Sequence, residues 1–170
     1  PWLSPAAPAS VPGSAGAVRR LPLREYLDKM QGGWVGQMAG VGWGVPIEFQ
    51  VAGRIVPEKN IPNWHPNIVN QFDSTSDDDL WVEVTFLRTL ERYGLGVSSR
   101  QAGIDFANTR YPAWVSDEFG RNNLRKGIAP PDSGHPSFNK WADDICYQIQ
   151  ADFTGLIAPG LPQVPVDLAG

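Results

Sequence analysis

At 170 residues the chain has room for one domain with a real core, and not for two ordinary ones. Hydrophobic residues at 42% against 19% charged exclude a wholly disordered chain, and no apolar run approaches the roughly 18 residues that span a bilayer. A formal charge of −4 with a pI near 5.1 supplies no basic field for nucleic acid, and the single Cys146 excludes an internal disulfide and a cysteine-cluster metal site.

The first 16 residues carry no charge, and 13 of them are Pro, Ala, Ser or Gly, so residues 1–20 read as a tail or linker. A start on Pro1 with this composition is expected to follow a removed secretory signal, which places the protein outside the cell or in a periplasm, with the cytoplasm as the alternative. From Leu21, Leu27, Met30, Trp34 and Met38 recur every three or four residues and predict a first helix. Gly32, Gly36 and Gly40 repeat along it and suggest a tight helix crossing. After Gly40 the run Gly42, Gly44, Pro46 predicts a break that delivers Val45 to Phe49 as a loop, with Glu48 as a loop carboxylate between apolar neighbours. His65, alone between Trp64 and Pro66, reads as a surface-loop histidine.

Ser74, Thr75 or Ser76 is the expected cap of a second helix, with Asp77, Asp78 and Asp79 in its opening turn, where the helix dipole favours negative charge. Winding residues 80–93 at 100° per residue gathers Leu80, Val82, Val84, Phe86, Leu87, Leu90 and Tyr93 on one arc, opposite Thr85, Arg88, Thr89 and Arg92. Glu83 falls inside the apolar arc, one turn after Asp79 on the same face, and carboxylates are rarely buried unless paired or metal-bound. Ser98 to Gln101 reads as a capping box opening a third helix to about Asn108. Ser116 or Asp117 is the expected cap of a fourth, closed by Gly127, and Asn139 the start of a fifth that buries Trp141, Ile145, Ile149 and Phe153. The last residues, from Pro159, read as a loop and the opening of a further helix. No stretch alternates with period two, so the fold class is all-α with long functional loops.

Glu48, Asp77, Asp78, Asp79 and Glu83 together make an oxygen-rich, sulfur-free set of the kind hard cations such as Mg²⁺ or Mn²⁺ take. A charge cluster on a solvated helix end explains the three aspartates but not Glu83. Trp34 and Trp141 read as core, while Trp43, Trp64, Trp81 and Trp114 are candidates for stacking on a sugar or base ring. A phosphate-binding Walker loop, a Ser-His-Asp order and a dinucleotide glycine fingerprint are absent.

The segment Lys29 to Phe49, KMQGGWVGQMAGVGWGVPIEF, resembles the first helix and loop of the ADP-ribosylglycohydrolase family, whose pattern is a Gly-rich helix followed by G-D-A-x-G-x-P-x-E-F. STSDDDLWVEVTFL at 74–87 is similar to that family's T-D-D-T motif, and residues 120–139 and 142–162 look like an extended branch of it. The resemblance spans roughly residues 22–170. It implies that residues 21–170 form the N-terminal part of an all-α, orthogonal multi-helix domain that hydrolyses an ADP-ribosyl or related furanosyl bond. It implies a pair of divalent cations, Mg²⁺ or Mn²⁺, held by Asp77, Asp78, Asp79 and Glu83 and completed by residues beyond this chain, so that a C-terminal fragment of the same protein is an expected partner. Carried over residue by residue, Glu48 matches the loop glutamate that assists water attack or orients the metal, Asp79 the catalytic aspartate, and Trp43, Gln148 and Asp152 are substrate contacts. The motif admits two registers, Ser76-Asp77-Asp78 or Asp77-Asp78-Asp79, of which the second keeps Val82, Val84 and Phe86 on the family's apolar positions. The family's G-D-A aspartate falls at Val41 here, and no second D-x-D cluster follows. The rival readings are a secreted glycosidase acting on a carbohydrate other than ADP-ribose, and a non-catalytic binding or structural protein on the same scaffold.

Overall fold

The computed structural model describes residues 20–71 and 77–169, and every regular element among them is helical. The stretch 1–19 and the expected caps Ser74, Thr75 and Ser76 lie outside the described residues. Helix α1 (Leu23–Gly44) runs through Gly40 and Gly42 instead of breaking there, and turns into a short 3-10 segment at Val45–Ile47. Pro46 sets the limit: a glycine costs a helix interior about 1 kcal/mol, a proline about 3 kcal/mol. The expected crossing at Gly32, Gly36 and Gly40 is also displaced, since all three face open space. The close approach is at Gly33, where an added Cβ would stand 2.7 Å from the Leu156 side chain. Helix α1 thus packs on the later helix α6 (Asp152–Ile157), and on the 3-10 turn Pro66–Gln71 that buries Ile68. His65 is half-buried just before that turn.

Helix α2 (Asp78–Tyr93) is the central element, in contact with α3 (Ser99–Ala107), α5 (Cys146–Gln150) and α6. Its N-cap is Asp77, whose Oδ1 accepts the Leu80 N–H at 3.1 Å. Leu80 and Val82 are buried as the arc predicts, but Val84 and Tyr93 stay exposed and Thr89 is buried. Thr89 tolerates burial because its hydroxyl reaches both the Thr85 carbonyl, at 3.0 Å, and Asp105 Oδ2, at 2.8 Å. Only half of the capping box at Ser98 forms: Ser98 accepts the Gln101 N–H, while the Gln101 amide turns to Tyr93 and Asp105.

Helix α4 (Val115–Arg125) starts one residue before the expected caps. Trp114 occupies the cap position without a capping side chain of its own, and its N–H is taken by Asp78 of α2, so Ser116 and Asp117 fall inside the first turn. Its end is as expected. Gly127, at φ 86°, lets the Ile128 N–H reach back to the Asn123 carbonyl and its own N–H to Leu124, closing the helix in a Schellman turn.

The fifth helix departs most from its pattern. Residues 139–145 form turns, followed by the short α5, then α6 and a last helix α7 (Gln163–Ala169) where the sequence predicts a new one. Local side-chain bonds win over the helical period: Asn139 Oδ1 accepts the Trp141 N–H and Asp144 Oδ1 the Ile145 N–H. Trp141 is consequently exposed under Lys140, Ile145 is 61% exposed, and Phe153 alone of the described stripe is buried.

Among the described residues, buried hydrophobic ones are few, chiefly Ile68, Leu80, Val82, Phe106, Cys146, Phe153 and Ala158. Buried polar side chains do much of the joining. Asn123 donates to the carbonyls of Ser133 and Phe138, Asn139 to that of Ser116, and Arg121 to that of Tyr111 while its guanidinium lies over the rings of Phe106 and Tyr111. The bonds from Asn123 and Arg121 give carbonyls outside the α-helices, those of Ser133, Phe138 and Tyr111, a partner in place of water. Asn123→Ala strands two of them, and should lower stability in a urea titration by about 2–3 kcal/mol, several times the effect of an Ala substitution at exposed Asn108.

Candidate acidic site

The site begins with the first turn of α2. Asp77 is held by its capping bond, and Asp78 turns its Oδ2 to the Trp114 N–H at 3.0 Å, which joins the starts of α2 and α4. Burial pushes the Asp78 carboxyl above its ordinary value, and the Trp114 N–H, by bonding the charged form, holds it back. Asp79 is half-buried and its pKa is pushed up to about 7, first by burial and then by the negative charges of Asp77, Asp78, Glu83 and Glu48. Glu83, one turn further along the same face, is 0% exposed. Its pKa also rises to about 7, mainly through burial, and the charge of Asp152 adds to the rise. The Gln37 side chain on α1 and the Phe153 N–H stand close enough to favour its ionised form somewhat, yet both Glu83 oxygens and Gln37 Oε1 lack a partner in hydrogen-bonding geometry. A protonated Glu83 donating to Gln37 Oε1 would relieve two of these three orphan atoms, which fits a carboxyl that holds its proton to neutrality.

Five expected site residues therefore come into one electrostatic group: Glu48 from the loop, Asp77, Asp78 and Asp79 from the turn, and Glu83 beneath them. Asp152, the first residue of α6, borders the group on the Glu83 side. The other two substrate candidates stand differently. The Trp43 indole N–H donates to the Pro62 carbonyl at 2.7 Å and its ring meets Trp64 edge-on, so it is engaged with the loop before Ile68. Gln148 is exposed on α5 with no contact that links it to the acids.

Comparison with protein-family models, curated proteins and solved structures returns no match, so the family likeness rests on the quoted motifs alone. The acids' chemistry suits a hard divalent cation, and the orphan oxygens of Glu83 are of the kind such an ion would satisfy. Their positions do not: among the described residues no three His, Cys, Asp or Glu side chains converge closely enough to hold a metal ion. What the arrangement provides unaided is proton chemistry, a half-exposed carboxyl at about 7 beside an exposed carboxylate.

Several participants are not evident in the chain's periodicity. Gln37 is three residues after Trp34, on the apolar side of α1, and that polar intruder is the one signal that could have found it. Asp117 was expected as a cap; instead its carboxylate accepts from the Gln150 side chain, and burial lifts its pKa to about 6. Trp114 acts through its backbone, which no side-chain pattern reveals.

These carboxyls make folding take up protons. Asp79 and Glu83 shift from 3.8 and 4.5 to about 7, so their contribution to stability is fully present below about pH 4 and is lost as pH rises through 7. The melting temperature should accordingly rise as pH falls from 8 to 5.5. Glu83→Gln, a neutral isostere beside Gln37, should raise the pH 8 melting temperature by a few degrees and flatten the slope; thermal scans of both proteins across that range check it.

Proposed function

We propose that the chain carries the acidic site of a glycoside hydrolase that cleaves an ADP-ribosyl or related furanosyl bond, within an ADP-ribosylglycohydrolase-like helical domain. The observation that carries this reading is that Asp79, half-buried with its pKa raised to about 7, lies within the electrostatic reach of the exposed loop residue Glu48. Hydrolysis of a glycosidic bond needs two carboxyl groups in different protonation states, one to give a proton to the leaving oxygen and one to take a proton from water. Asp79 is the proton donor, since its neighbours and its burial keep it protonated where an ordinary aspartate would not be. Glu48 is the exposed carboxylate that activates water. Glu83 is fully buried and does not reach a substrate; it is a positioning residue that raises the Asp79 pKa. The motif likeness at 29–49 and 74–87 supports the choice of bond.

The divalent cation implied by that likeness is a second use of the same acids, with Asp78 and Asp79 as contributors; an Asp79 that binds it gives up its proton and with it the donor role, and the described residues do not complete the ligand set. Calorimetry with Mg²⁺ and Mn²⁺ alone tests this part, and Asp78→Asn combined with Asp79→Asn should abolish the heat of binding.

Turnover of ADP-ribosyl and furanosyl substrates tests the main reading. Glu48→Gln should reduce it by the roughly 10²–10⁴-fold of general acid–base catalysis with stability nearly unchanged. Asp79→Asn should remove the alkaline fall of the rate near pH 7 as well as most of the rate itself. Unchanged turnover in Glu48→Gln would take that residue out of the chemistry.

A further inference from the structure

The acidic site has an aromatic border that the proton chemistry does not use. Phe49 directly follows Glu48, is 80% exposed, and sits at φ 59°, a left-handed conformation that a bulky side chain adopts at a cost. Its ring lies 6.5 Å from that of Trp114, which is 58% exposed even though its backbone N–H is fixed by Asp78. Trp81, one turn after Asp78 on α2, stacks on Tyr111 at 6.0 Å with 19° between planes, and Tyr111 is three residues before Trp114. Two large rings are thus kept in solvent beside the carboxylates, one of them at the expense of backbone strain.

We propose that Phe49 and Trp114, with 47° between their planes, form an angled aromatic platform on which one ring stacks against the apolar face of an uncharged sugar of the substrate and the other borders its edge, next to Glu48 and Asp79. The inference rests on the glycosidic reading above and narrows it. Aromatic faces pack on the C–H face of a sugar as on any apolar surface, and an indole loses little conformational freedom in doing so. The charges weighing on Asp79 are all carboxylates, so a ligand bearing a pyrophosphate meets repulsion where a neutral glycan meets none. Of the two bonds in that reading, the favoured one is therefore that of a neutral furanosyl glycoside, and the ADP-ribosyl bond is the disfavoured one.

An array of neutral furanosyl and pyranosyl oligosaccharides, with free ADP-ribose as the charged control, is the probe. The full chain should retain at least one neutral glycan and hold ADP-ribose more weakly. Trp114→Ala, which keeps the N–H that Asp78 needs, and Phe49→Ala should each weaken glycan binding by about tenfold. Phe49→Gly separates a ligand role from a structural one: glycine relieves the positive φ, so the melting temperature should hold or rise while glycan binding falls. Capture of no neutral glycan, equal or tighter retention of ADP-ribose, or undiminished binding in both alanine variants would overturn the platform. A glycan bound through Phe49 and Trp114 but never hydrolysed would instead overturn the catalytic reading and leave the platform standing.

Discussion

A single hydrogen bond, from the Trp114 N–H to Asp78 Oδ2, sets the geometry on which the site depends. It satisfies a buried carboxylate at the start of α2 and supplies the first turn of α4 with an anchor that its own residues do not provide. With Asp78 bonded to Trp114 and Asp77 to the Leu80 N–H, Asp79 is left under the charges of Glu83 and Glu48. The bond between Asp78 and Trp114 also anchors the backbone that carries the Trp114 ring. Acid chemistry and aromatic border are thus two consequences of one contact between helix starts.

The fold around it is held by few buried apolar side chains and by many polar ones. Asn123, Asn139, Arg121 and Thr89 each answer backbone or side-chain groups of a neighbouring segment. Such bonds contribute modestly when made and cost much when broken, which makes the loops between α4 and α5 specific in position. Glu83 differs from these, buried with neither oxygen in bonding geometry, and Gln37 Oε1 and Arg121 Nε are likewise left without a partner. A carboxyl buried in this way lowers stability in its ionised form and is retained where a shifted proton affinity is useful. Its effect is passed to Asp79 on the same helical face.

The sequence made the all-helical class, α2 with its inward glutamate, and the acidic opening turn legible, because these depend on period and local charge. It misled where a side chain bonded the backbone in a way the helical period does not show, locally or across the fold. Asn139 and Asp144 look like helix residues and instead hold turns, so Trp141 and Ile145 leave the core. Ser116 and Asp117 have the chemistry of caps, but the start of α4 is settled by an acid 36 residues earlier in the chain. The glycine repeat of α1 suggested the right kind of packing at the wrong positions, since a helix face is chosen by its neighbour, here Leu156 of α6. Phe49 gave no signal at all, because a positive φ at a phenylalanine is invisible in composition and spacing.

The central claim is that the fold keeps Asp79 and Glu83 protonated to near neutrality. Carboxyl ¹³C chemical shifts of the two side chains, followed by NMR from pH 3 to 9, measure it directly. Because the groups interact, the pair titrates with shared apparent values. The account predicts that their midpoints lie near 7, and that the Asp79 midpoint drops when Glu83→Gln removes the charge beneath it. Both groups titrating near their ordinary values of 3.8 and 4.5, with no response of Asp79 to that substitution, would contradict it.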